Sequence, residues 1–341
     1  MHNLDVLTPN NDSLAEDFQP PWHLNNHHIQ ATLSSSKLRK NALLRQHAAM
    51  LNNAQTQIID AGNGVRLLGE LNQSDPEKKA KQLIILLHGW EGSSQSNYII
   101  SATATLLAAG YDVVRLNFRD HGDSHHLNRG IFNSSLVEEV AGAIKNLQAT
   151  QGYERSGLMG FSLGGNFALR VGLLNQSLHK PLDAVLAVCP VLDPVHTMQR
   201  LENGPFWYEQ YFVHKWKRSL LKKLAHFPDY GFHEPLQKLK RLREMNDYFI
   251  PRYTNYNTVE DYFRAYTITG HKLAFTSSAT SLIVSKDDPV IPVQDLTKIA
   301  RPTSLSISLQ KHGSHCAFLR GIGKPSWVDK YAIAFFEPLL T

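Results

Sequence analysis

Gly160-Phe161-Ser162-Leu163-Gly164 sets a serine between two glycines, with a further glycine at 165. Such a Gly-x-Ser-x-Gly string arises by chance in roughly one chain in ten of this length, so its flanks must carry the argument. Arg155 to Phe161 is a short, mostly apolar run, and Leu163 to Leu174 has helix-compatible apolar spacing without a proline. A buried strand that turns sharply into a helix holds a serine in a strained conformation with its hydroxyl projecting outward. Glycines at 160 and 164 let the two backbones approach closely. The bland alternative for Ser162 is a small residue in a glycine-rich turn.

A serine hydroxyl becomes a nucleophile when a base removes its proton and an acid orients that base. For a nucleophile on such a turn, the chain order is serine, then Asp or Glu, then histidine. Lys286-Asp287-Asp288-Pro289 follows one strand-like run, and Lys311-His312-Gly313-Ser314-His315 follows the next. Each lies just past a predicted strand, at the carboxyl edge of an open sheet where catalytic side chains gather. Adjacent aspartates cannot both address one imidazole. Asp288 is preferred over Asp287 because it begins the turn into Pro289-Val290-Ile291-Pro292, and Asp193, after the preceding strand, is a lesser alternative. His315 is preferred over His312, since the Gly313-Ser314 turn presents it from the loop; His312 otherwise reads as an exposed loop histidine. With 17 histidines in the chain, no single one carries weight alone.

Acyl chemistry also needs donors for a developing oxyanion, usually backbone N–H groups. Leu163 N–H, beside the serine, is one candidate, and Trp90 N–H in His88-Gly89-Trp90-Glu91-Gly92 is the other. His88 and Gly89 then shape that loop rather than react. The competing reading is a plain turn made by Gly89 and Gly92.

The elements that must position these residues follow from hydrophobic pattern. Gln55 to Leu71 brackets Gly62-Asn63-Gly64 with two strand-like runs, a hairpin signal. Lys81 to Gly89 contains a continuous apolar run suited to a central strand covered on both faces. Helix around Ser101 to Ala109, strand at Tyr111 to Phe118, helix at Ser134 to Ala149, strand before Ser162 and strand at Asp183 to Pro190 follow in turn. This alternation predicts an α/β protein with a mostly parallel central sheet and helices on both faces. It breaks between 191 and 275, a helical, aromatic and Lys/Arg-rich stretch read as a cap insertion. Strands return at Ser278 to Asp288 and Ser304 to His315, and a last helix lies near Trp327 to Phe336. The expected organisation is therefore an N-terminal extended arm with a short helix over 1–50, a core over 51–190 and 276–341, and a helical cap over 191–275.

Composition narrows the function. The chain has 341 residues, 42% hydrophobic and 19% charged, with a net charge of +5. These are values for a globular protein with a sizeable core. No zinc-finger, recognition-helix or RNA-binding signature accompanies the modest charge, so no nucleic-acid partner is expected. Gly160 to Gly165 lacks the Gly-Lys-Ser/Thr ending of a phosphate loop, and the spacing is not Gly-x-Gly-x-x-Gly. The histidine pairs at 27–28 and 125–126 have no metal-site spacing, so no metal is expected. Cys189 and Cys316 lack the close pairing of a redox or metal motif, and fit a reducing compartment. No basic segment with an apolar core stands at the N-terminus and no apolar run reaches membrane-spanning length, so a cytoplasmic protein is expected. His214 to Lys223 reads as a solvated helix face, with Trp216 keeping open a peripheral contact with anionic lipid. Nothing here speaks to oligomeric state.

Beyond the serine turn, several segments resemble the YheT-like esterase group of the α/β-hydrolase superfamily, related to eukaryotic α/β-hydrolase domain-containing lipases. Pro20 to Leu33 is similar to the group's Pro-x-x-x-Leu-x-Asn-x-His-x-Gln-Thr segment, with Ala31 interrupting its end. His88 to Ile99 resembles its oxyanion loop, Asn117 to Ser124 its Phe-Arg turn, and Gly160 to Asn166 its nucleophile elbow. Lys286 to Pro292 and His312 to Phe318 match its acid and base loops, and Asp261 to Thr267 a segment late in its insertion. The resemblance implies an α/β-hydrolase fold, with Ser162 as nucleophile, Asp288 as acid, His315 as base and residues 191–275 capping an acyl pocket. It implies a carboxylesterase acting without cofactor on short- to medium-chain acyl esters, small-molecule substrates. Asp120-His121-Gly122 departs from the group's usual turn. No histidine is followed five positions later by aspartate, so the acyltransferase motif of eukaryotic relatives is not carried over. Acyl transfer to an alcohol or thioester hydrolysis through the same intermediate is the alternative chemistry, and a non-catalytic ligand-binding module is the alternative class.

Overall fold

The strand-like runs condense into eight strands: β1 (Gln55–Asp60), β2 (Arg66–Asn72), β3 (Gln82–Leu87), β4 (Asp112–Asn117), β5 (Arg155–Phe161), β6 (Ala184–Val188), β7 (Ala279–Ser285) and β8 (Leu305–Gln310). The structure is a computed structural model that describes residues 16–78 and 80–341. One sheet contains all eight strands, in the order β1-β2-β4-β3-β5-β6-β7-β8. β2 pairs antiparallel with β1 and β4, and every other neighbour pair is parallel. Parallel strands covered on both faces require unbroken apolar sequence, and Leu83 to Leu87 are all fully buried. Each such side chain contributes roughly 1.5–3 kcal/mol of burial.

Helices α4 (Asn97–Ala108) and α12 (Trp327–Leu340) pack together on one face, and α5 (Val137–Gln151) and α6 (Leu163–Leu173) on the other. Between β6 and β7 the chain leaves the sheet for α7 (Pro194–Asn203), α8 (Phe206–His226), α9 (His233–Lys238), α10 (Leu242–Tyr253) and α11 (Val259–Tyr266). Their apolar faces join the α5/α6 side of the core, where Trp216, Phe249 and Tyr262 lie in one cluster with Leu163 and Phe167. Among the described residues no helix is long and apolar enough to cross a membrane.

The N-terminal segment differs from the extended arm with one short helix that its polar composition suggests. A 3-10 turn at Trp22–Leu24 leads into α1 (His27–Ser34), α2 (Lys37–Gln46) and α3 (Ala48–Asn52). Asn26 and Ser36 cap α1 and α2 by accepting from His28, Ile29 and Arg39 N–H groups. Residues 1–15 of the expected arm lie outside the described residues. The helices are docked through buried polar groups that a hydrophobicity pattern does not register. Arg39 is fully buried and donates to the Gly321, Ile322 and Lys324 carbonyls.

Candidate active site

Ser162 sits where β5 ends and α6 begins, with φ 55° and ψ −118°. A non-glycine residue held there costs of order 1–3 kcal/mol, so its surroundings must impose the conformation. Ser162 N–H donates to Val188 O at 2.8 Å, tying the turn to the end of β6. The flanking glycines are obligatory by contact. A Cβ on Gly160 would lie 2.1 Å from Gly164 O, and one on Gly164 would lie 2.4 Å from Leu87 O.

His315 Nε2 lies 2.9 Å from Ser162 Oγ, and His315 Nδ1 lies 2.9 Å from Asp288 Oδ2. The three side chains expected from the loops after β5, β7 and β8 thus form one hydrogen-bonded chain. Asp288 is fixed by its other oxygen, which accepts from Val290 N–H at 2.7 Å and Ile291 N–H at 2.9 Å. The adjacent Asp287 turns away: its Oδ1 accepts from Ser314 N–H at 2.8 Å and its Oδ2 lies 3.7 Å from His312 Nδ1. Asp193 is elsewhere, capping α7 by accepting from Val195 and His196 N–H groups. Burial works against a charged His315 ring, but the neighbouring Asp288 and Cys316 charges outweigh it and lift the imidazole from 6.5 to about 9.

The N-terminal helices brace the histidine loop. Ser314 Oγ donates to His27 O at 2.7 Å, Leu319 N–H donates to Gln30 Oε1 at 2.8 Å, and Gln30 Nε2 donates to Leu24 O at 3.0 Å. The sequence reading did not single out Gln30 as a support for this loop. Its only signal is its place in the Pro20 to Leu33 segment.

The loop after β3 is held from several sides. His88 is fully buried, with Nδ1 donating to Gly89 O at 2.8 Å and Nε2 accepting from Phe118 N–H at 3.3 Å. Burial and the nearby His121 drive its pKa well down, so the ring is neutral and acts as a spacer. Gly89 N–H donates to Tyr98 Oη at 2.9 Å, and Glu91 N–H donates to His121 Nε2 at 3.2 Å. Arg115, buried in the middle of β4, reaches Ser94 O at 3.0 Å and Glu70 Oε2 at 2.7 Å. His121 and Arg115 are supports that the sequence reading missed, because their partners are remote in the chain. Trp90 and Leu163 both line the cavity beside Ser162. Among the described residues neither backbone N–H is engaged by another protein group.

That cavity encloses about 790 Å³ including its mouth. Its walls are mostly apolar, with Phe132 and Val191 from the sheet side and Met198, Leu201, Trp216 and Ile250 from the helices between β6 and β7. Trp90 stacks on Phe212 with ring centroids 5.4 Å apart and meets Trp216 edge-on at 5.3 Å. Trp216 therefore faces inward, which removes it as a lipid contact; Phe206 (68%), Trp207 (60%) and Tyr211 (45%) are the large aromatics that α8 exposes. Lys223, also expected on a solvated face, is buried. Its Nζ lies 2.8 Å from Asp120 Oδ1 and donates to the His125 and Asn128 carbonyls. Burial raises the Asp120 pKa and lowers that of Lys223 despite their pairing. Desolvation thus offsets the attraction, and the pair's clearest effect is to fix where α8 meets the loop after β4.

A family model described as "Alpha/beta hydrolase family" matches residues 84–323, most of the chain. The chain is 25% identical over 327 residues to the protein named "Putative esterase YheT" of Escherichia coli (strain K12), covering 94% of this chain and 92% of that one. Among solved structures, the esterase Pf2001 of Pyrococcus furiosus aligns with a TM-score of 0.57 at 16% identity, over 86% of this chain and 96% of that chain. The serine hydrolase CCSP0084 of Cycloclasticus zankles aligns with a TM-score of 0.55 at 15% identity, over 84% and 98%. At such identities the structural likeness bears on fold alone. Family match, strand order and the strand-to-helix turn at Ser162 agree, and the chain belongs to the alpha/beta hydrolase family.

Proposed function

We propose that this protein is a serine carboxylesterase that cleaves short- to medium-chain acyl esters through an acyl-enzyme. The observation that carries this reading is the unbroken chain from Ser162 Oγ through His315 to Asp288, each link 2.9 Å long. The similarity over most of the chain to the protein named "Putative esterase YheT" points the same way.

In this mechanism His315 Nε2 accepts the Ser162 proton as Oγ attacks the ester carbonyl, and Asp288 stabilises the imidazolium that forms. The carbonyl oxygen, now negative, is received by the Trp90 and Leu163 N–H groups, the second at the positive end of α6. His315 then protonates the departing alcohol, and water activated by the same ring releases the acid. Residues 191–275 act as the cap and 51–190 with 276–341 as the catalytic core. The acyl chain occupies the apolar space beside Met198, Leu201 and Ile250.

Hydrolysis of p-nitrophenyl esters from acetate to dodecanoate tests this reading. Ser162→Ala should lose on the order of 10⁶-fold in kcat, and the preferred chain length should fall below dodecanoate. Retention of wild-type turnover by Ser162→Ala would sink the mechanism. Added alcohol in the same assay, with ester products quantified, separates hydrolysis from acyl transfer.

A further inference from the structure

The two cysteines lie far apart in the chain, yet folding brings them together behind the base. Cys189 directly follows β6 and Cys316 directly follows His315; both are buried, and both adopt left-handed backbone, with φ of 44° and 57°. The two sulfurs and a ring nitrogen of His315 all lie within 4.8 Å of one another. Cys189 Sγ also contacts Ser314 O at 3.8 Å, and Cys316 Sγ contacts Val188 O at 3.5 Å. Val188 O is the same carbonyl that holds Ser162 N–H. The pair is therefore wedged between the supports of the nucleophile and of the base.

We propose that Cys189 and Cys316 form an oxidation site, a thiol pair that a peroxide converts to a disulfide, displacing His315 from Ser162. The Cys316 thiolate attacks one peroxide oxygen, breaking the O–O bond and giving a sulfenic acid and hydroxide, which takes up the thiol's proton as water. The Cys189 sulfur then attacks the sulfenic sulfur, the S–O bond breaks, and the Cys189 proton leaves with the hydroxyl as a second water. Two thiols are oxidised by two electrons and one peroxide is reduced to two waters.

The environment divides the roles. Burial disfavours thiolate at both positions. At Cys316 the neighbouring Cys189 thiol and the His315 charge more than compensate and bring its pKa down, whereas burial and the facing Cys316 keep Cys189 well up as a thiol. A disulfide requires the sulfurs to close to about 2.05 Å. Cys316 must follow, and it carries the adjoining His315 with it. Misplacing a reacting group by about 1 Å costs on the order of 100-fold in rate.

The activity consequence rests on the Ser162–His315 reading, whereas disulfide formation does not. Purified full-length protein is treated with hydrogen peroxide, quenched, and divided between free-thiol titration under denaturing conditions, intact mass and ester turnover. The expected result is loss of both thiols together, an intrachain species lighter by two hydrogens, and turnover reduced on the order of 100-fold, all restored by dithiothreitol. The Cys189→Ser protein, given the same dose, should form no such species and keep its turnover. Two thiols surviving oxidation, or gain of oxygen without the lighter species, would overturn the pair. A disulfide that leaves turnover unchanged, or equal inactivation of Cys189→Ser, would overturn its coupling to His315. If untreated protein turns over no ester, the thiol and mass results still decide whether the disulfide forms.

Discussion

Replacing Asp288 with asparagine preserves shape and removes one charge, which isolates what that charge does for His315. Imidazolium at about 9 rather than 6.5 corresponds to ~3 kcal/mol of preferential stabilisation of the charged ring. The same stabilisation acts when the ring takes the Ser162 proton, and Asp288 supplies the larger of the two charges behind it, so removing that charge should lower kcat/KM on the order of 10²-fold. A wrongly oriented or wrongly protonated ring adds to this, because asparagine can donate to Nδ1 where the carboxylate only accepts. The pH dependence gives an independent signature. A general base works when neutral, so wild-type kcat/KM should rise with pH and level off only above about 9. In Asp288→Asn the largest opposing influence left is burial, which disfavours the charged ring, so the limb should move toward lower pH even as the plateau falls. The assay is kcat/KM for a soluble p-nitrophenyl ester from pH 5 to 10, corrected for spontaneous hydrolysis. An unshifted limb with less than about a tenfold loss would refute the assignment of Asp288 as the charge partner of His315.

Two further tests concern the scaffold. Lys223→Met or Asp120→Asn alone should destabilise by about 3–5 kcal/mol, because each strands a buried charge, whereas the double variant should recover much of that loss. Urea denaturation of all four proteins measures the coupling, and additive losses would contradict the pairing. Gly164→Ala sets a methyl 2.4 Å from Leu87 O and should lower the melting temperature and abolish turnover. Gly172→Ala on the same helix meets only Val185 Cγ2 at 3.4 Å and should be neutral or stabilising by up to about 1 kcal/mol. Equal melting temperatures for the two would show that the turn is not set by this contact.

The sequence by itself determined the α/β class and the positions of the strands, because a strand covered on both faces must be written as an apolar run. It also placed Ser162, Asp288 and His315 in that order, each in the loop that follows a strand-like run, the last of them the alternating edge strand β8. Local turn chemistry further favoured Asp288 over Asp287 and His315 over His312, and the geometry agrees on which side chains meet. Contacts between distant segments were decided only by the tertiary structure. Gln30 bracing Leu319, Arg115 holding the loop after β3, Lys223 buried against Asp120 and Cys189 lying beside Cys316 are all pairings of polar or thiol groups. A polar residue's type and spacing read the same whether it faces water or a buried partner. What decides between the two is which strand edge or helix face the sheet order brings opposite it, and that requires the assembled fold.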